Sequence, residues 1–408
     1  MSIPKLTIIC CFTLFFLYDS ATSKGESLNH SYEIVDTGQI IFFDNMKTIP
    51  KPLPGQPFLG QDANYSGNTP CYSDNGDGTI TDNVTGLIWQ KSFSVMTYDE
   101  AIQKVKTFSL AGKQDWRLPS IKELYSLALF SGVDASSRDM TAVPPDAKPF
   151  IALVFDFQYA ANGDRPIDTQ LLSSTIYQGR TMGGKETVFG FNAADGRIKG
   201  YPIFDPFRHT GKKFTVRFVR GNSAYGKNKY HDNQDGTISD LATGLIWEKS
   251  DSGEGMNWQE ALVWAEQKNS VAYLGYTDWR LPDAKELQSI VDYNRCPQKT
   301  ASPAISPMFE VSAISDEAGM TNYPFYWTST THKSARGGFD AVYICFGDAF
   351  GYFRPPGTFA KPRLMDVHGA GAQRSDPKIG DPSDFPQGRG PQGDVIRILN
   401  YVRLVRDL

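Results

Sequence analysis

The chain has 408 residues, 40% hydrophobic and 21% charged, with a formal net charge of −4. That size and balance suit two or three folded domains and exclude an extensively disordered or membrane-embedded chain. The slightly acidic total also excludes the broad basic footprint of a nucleic-acid-binding protein.

From the N-terminus, Lys5 precedes an apolar run from Leu6 to Tyr18, and Ala21 and Ser23 then suit a signal-peptidase site, so residues 1–23 read as a secretory signal. The competing reading, a membrane anchor, needs about 20 apolar residues. Residues 24–65 form a lead-in, with a strand-like run at Ile40-Ile41-Phe42-Phe43 and then Pro50, Pro52, Pro54 and Pro57.

The remainder contains one unit twice. Tyr72 to Ser92 and Tyr230 to Ser250 are identical at 15 of 21 positions, and DWRLPSIKEL (115–124) and DWRLPDAKEL (278–287) at 8 of 10. VRFVR (216–220) and VRLVR (402–406) close the units. We therefore place two homologous domains at 66–222 and 223–408. A repeat of this length is expected to close its own core, like beads on a string.

Within each unit, Asp-Gly and Thr-Gly turns predict a hairpin or three-stranded meander. Two helices follow, marked by capping pairs Thr97/Glu100 and Ser120/Glu123 in the first unit, Asn257/Glu260 and Asp283/Glu286 in the second. Short β-branched and aromatic runs then predict strands at Thr187 to Phe191, Phe214 to Val219, Tyr326 to Thr331, Ala341 to Phe346 and Asn400 to Val405. The class is α+β with a small, mainly antiparallel sheet and long loops. The loop at 355–394 is long enough to suggest function or mobility.

Three cysteines follow the signal. An oxidising compartment favours a disulfide between Cys296 and Cys345, leaving Cys71 odd; the alternative is three reduced, buried thiols.

These motifs together, DNGDGTITDNVTGLIWQKS, DWRLPSIKELYSL, YWTSTT (326–331) and the closing VR-x-VR, resemble the domain at the C-terminus of the collagen-like adhesin of Legionella. The resemblance covers both units. It implies a bacterial C-type-lectin-like fold, export to the cell envelope, and adhesion or carbohydrate binding. The Glu-Pro-Asn, Gln-Pro-Asp and Trp-Asn-Asp motifs of calcium-dependent lectins are absent, as is a collagen-like stem. The first unit has LLSSTIY (171–177) where the second has FYWTSTT, so its ligand surface is expected to differ.

Candidate ligand residues are Tyr326, Trp327, Thr328, Ser329 and Thr330, against a reading as a core strand. A late basic set of Arg354, Lys361, Arg363, Arg374, Lys378 and Arg389 suggests an acidic polysaccharide, although Asp366, Asp376, Asp381 and Asp384 interleave as in a solvated loop. Asp77, Asp82, Asp235 and Asp240 are the oxygens for a calcium reading, but an EF-hand register puts Val84 or Ala242 where a bidentate Glu is needed, so hairpin turns fit better. No cofactor is expected. Trp89, Trp116, Trp247 and Trp279 read as core, and Arg117 and Arg280 as partners of nearby carboxylates.

No nucleophile elbow, zinc-protease motif or phosphate loop is present. The expectation is an exported, non-enzymatic binding protein whose partner is a polysaccharide or surface protein, with no transmembrane segment in the mature chain. The alternatives are an enzyme on a formylglycine-generating-enzyme-like fold, using Cys296 and Cys345 as a redox pair, and a protein-binding spacer.

Overall fold

Turn chemistry organises the start of each repeat. A computed structural model describes residues 30–136, 141–160, 165–205, 210–355 and 357–408; the expected secretory signal lies outside them. Asp77 accepts from the backbone N–H and hydroxyl of Thr79 (3.1 and 2.6 Å), and Gly78 takes a left-handed backbone, φ +88°, which a side chain would resist. The chain thus reverses between β1 (Tyr72–Asp74) and β2 (Thr79–Asp82), then again into β3 (Leu87–Gln90). Then come β4 (Ser94–Thr97), α1 (Tyr98–Val105), α2 (Ile121–Ser126), β5 (Gln170–Ile176), β6 (Thr187–Asn192), β7 (Arg197–Pro202), β8 (Lys213–Val216) and β9 (Val219–Gly221).

The second repeat restarts with β10 (Tyr230–Asp232), β11 (Thr237–Asp240) and β12 (Leu245–Glu248), with Asp235 gripping Thr237 as Asp77 grips Thr79. It continues with α3 (Trp258–Ser270), α4 (Ala284–Ser289), β13 (Phe325–Ser334), β14 (Gly337–Cys345), β15 (Phe350–Phe353), β16 (Arg363–Asp366), β17 (Gln373–Pro377) and β18 (Val405–Asp407). The class is α+β with a small helical share. All four expected capping boxes form, at Thr97, Ser120, Asn257 and Asp283.

The repeats share one sheet, which overturns the beads-on-a-string expectation. Its eight strands run β13-β14-β17-β7-β6-β5-β8-β4, crossing from one repeat to the other where β17 meets β7 at Gln373 and Ile198. Equivalent contacts recur on both sides: Trp89 pairs with Val219 as Trp247 does with Val405. One apolar cluster spans both, joining Trp89, Leu124 and Phe189 to Trp247, Leu287 and Tyr326. Trp116 and Trp279 are also buried.

Several expectations are corrected here. Tyr326, Trp327, Thr328, Ser329 and Thr330 form the middle of β13 and are all buried. Trp327 donates its indole N–H to the Met256 carbonyl (2.9 Å) and Thr330 its hydroxyl to Asp62 (2.5 Å), so none offers a ligand shelf. Cys296 and Cys345 are free thiols buried in separate apolar clusters rather than a disulfide. The 355–394 segment contains β16 and β17 rather than one irregular loop. The lead-in docks against the second repeat through Gln39, which exchanges hydrogen bonds with the Thr331 backbone (2.8 Å each). Among the described residues, no helix is long and apolar enough to cross a membrane.

Candidate functional site

Where β7 and β17 meet, the sheet opens into a cleft of about 950 Å³ lined by both repeats. Alternation along β7 builds one wall: Arg197, Lys199 and Tyr201 face the cleft while Ile198 enters the core. Opposite stand Ser334, Arg336 and Asp340 from β13, β14 and the turn between them, Phe353 at the end of β15, and His368, Arg374, Arg389 and Asp394 from the segment that follows.

Arg197 ties the walls together, donating to Asp134 (2.6 Å) and to Ser375 (3.2 Å). Burial acts to raise the Asp134 carboxyl, but the Arg197 guanidinium overrides it and holds the group well below the usual carboxylate range. Lys199 donates to Asp195 (2.6 Å), and burial pushes its ammonium down to about 8. Arg374 donates to Asp394, whose other oxygen meets His368 Nε2 (2.9 Å). Burial and the nearby Arg374 and Lys199 cations push His368 well below its ordinary value. Two nitrogens of Arg374 (Nε and Nη1) and Nδ1 of His368 are buried without a hydrogen-bond partner.

The basic set expected to act together is split. Arg354, Lys361 and Arg363 are exposed around the β15–β16 hairpin. Arg374 and Arg389 line the cleft, Arg389 bound to Asp340 (2.9 Å). Lys378 is buried 4.0 Å above the Trp258 ring and donates to the Asp44 carbonyl. The Asp residues of the calcium reading serve turns: besides Asp77 and Asp235, Asp82 accepts from the N–H groups of Val84 and Thr85, and Asp240 from those of Lys229 and Ala242. Among the described residues, no cluster of three or more His, Cys, Asp or Glu is arranged to hold a metal. Arg117 and Arg280 pair with Glu123 and Glu286 as expected.

Sequence reasoning missed Asp134, Asp195, Arg197, Lys199, His368 and Asp394. The available signal was the polar alternation in Arg197-Ile198-Lys199-Gly200-Tyr201.

The family model of the Lcl C-terminal domain matches residues 78–220 and 236–361. The chain belongs to that family. It carries two copies of the Lcl C-terminal domain, and no curated protein and no solved structure matches it. The second match ends at 361, so His368, Arg374, Arg389 and Asp394 stand on a segment beyond the matched part. That segment closes the cleft against the first copy.

Proposed function

We propose that the protein is an exported, non-enzymatic binding protein in which two C-type-lectin-like domains hold one glycan of the cell envelope or surroundings. The observation that carries this reading is the cleft itself: a concave surface that mixes charged side chains with apolar and aromatic ones, built jointly by the two copies of an adhesin-type domain. Carbohydrate recognition uses such mixtures, with polar side chains for hydroxyls and aromatic rings for the sugar's apolar face. Burial pushes the Cys296 and Cys345 thiols up, which supports binding over thiol chemistry.

The test is binding of purified protein to an array of neutral and sulfated polysaccharides. Saturable binding is expected, weakened by about tenfold or more when Gln392→Trp fills the cleft, and unchanged by Val271→Trp on the exposed end of α3. Absence of saturable binding, or binding indifferent to Gln392→Trp, overturns the reading.

A further inference from the structure

We propose that this cleft takes one neutral, hydroxyl-rich saccharide per chain rather than a polyanion. The inference rests on the glycan-binding reading of the cleft and specifies its ligand class.

Charge pairing is the first argument. The lining carries eight Lys or Arg side chains and six Asp, and six of those cations have a carboxylate within 3.4 Å. A sulfate or uronate entering here meets carboxylates that already hold the arginines, and displacing them leaves buried anions unpaired, which is costly. A neutral hydroxyl meets no such repulsion. It donates to an Asp oxygen while accepting from the neighbouring Arg.

The unfilled partners point the same way. Asp394, held by Arg374, acts as an acceptor toward His368, so the imidazole hydrogen sits on Nε2 and Nδ1 is left as an acceptor. On the other side of that carboxylate, Arg374 retains unused donors at Nε and Nη1. One unfilled acceptor and unfilled donors flanking a single carboxylate match a group that both donates and accepts. Sulfates and carboxylates only accept. Tyr201 and Phe353 supply apolar faces on the two walls.

Stoichiometry follows from construction. The wall opposite β7 combines Asp340 and Phe353 of the second copy with His368, Arg374, Arg389 and Asp394 beyond its matched part, and it faces the first copy at the seam. Among the described residues this construction makes one cleft at the seam rather than a matching one in each repeat.

Isothermal titration of the purified protein tests this with tetrasaccharides of glucose, mannose, galactose and N-acetylglucosamine, and with heparin and polygalacturonate as polyanions. At least one neutral tetrasaccharide is expected to bind at one site per chain, with affinity changing less than about twofold between about 50 and 500 mM NaCl. Phe353→Ala on the half-buried wall and Asp340→Asn should each weaken it by about tenfold, with circular dichroism confirming the fold. Binding of the polyanions alone, salt-sensitive and lost in Arg389→Gln, overturns the neutral-ligand inference and leaves the glycan reading standing. Two sites per chain overturns the seam. Silence toward every saccharide overturns both.

Discussion

Arg217 and Arg403 occupy equivalent places in the two repeats and spend their guanidinium groups on backbone carbonyls. Arg403 donates to the carbonyls of Glu248, Lys249 and Ser250 (2.8, 2.6 and 2.8 Å) and of Glu310 (2.6 Å); Arg217 reaches those of Gln90, Lys91 and Asp156. Each pins the chain leaving the third strand of its meander. Arg403→Met strands these carbonyls in the interior and should cost about 3 kcal/mol or more in urea unfolding. Arg403→Lys should recover little, because an ammonium cannot fan across four acceptors. A loss below about 1 kcal/mol for Arg403→Met would remove the role assigned to it. The recurring Val-Arg motif was legible in the sequence, but its partners were not, because a backbone carbonyl leaves no residue-type signature. The cleft was hidden for a related reason. Asp195, Lys199 and Asp394 look like ordinary surface charges until the fold buries the two carboxylates and half-buries the lysine.

Elements whose signals are local were the readable ones. The four helix starts expected from the sequence follow from a cap residue and a Glu three positions on, and the meanders from their turns. The β15–β16 hairpin had no such signal, since its anchoring comes from the other repeat. Tyr177, just after β5, places its hydroxyl 3.0 Å from both Asp348 and Asp366, which bracket the hairpin. A phenol has one hydrogen, so the second contact needs a proton on a carboxyl. Burial pushes Asp366 up to about 8 and Asp348 up to about 6. These values lie above those of unfolded carboxyls, so the folded state binds the extra proton. The resulting stability is complete below about pH 4 and is lost as pH climbs through about 6 to 8. Asp62, pushed by burial to about 7, and Asp376, pushed to about 6, add to the same slope. The melting temperature is therefore expected to fall between about pH 5 and 7, below the range near 8 where the depressed ammonium groups of Lys122, Lys199 and Lys285 titrate with the opposite sign, and Asp348→Asn should flatten that fall. Equal slopes for the two proteins would dissolve the proton-sharing contact.

The largest departure from the sequence lies at the scale of the whole molecule. Self-similar units about 160 residues apart read as independent domains, because the apolar positions that face the other repeat have the same character as those facing their own. The seam itself lies in β7 and β17, where the units diverge. A reciprocal contact reveals the fusion: Lys122 at the start of α2 donates to the Ser289 carbonyl at the end of α4 (2.6 Å), and Lys285 at the start of α4 donates to the Ser126 carbonyl at the end of α2 (2.9 Å). Each cation meets the negative end of the other repeat's helix, and burial pushes both down to about 8. With a shared sheet, a shared apolar cluster and these crossed lysines, neither repeat can lose its core without exposing the other's. Scanning calorimetry should therefore show one transition, with calorimetric and van 't Hoff enthalpies in agreement. Lys285→Met, which leaves the Ser126 and Asp36 carbonyls without their donor, should lower that single transition by about 2 kcal/mol without splitting it. Two resolved transitions in the unaltered protein would mean that the repeats fold separately, and a cleft between them would then lack the fixed walls that a glycan site requires.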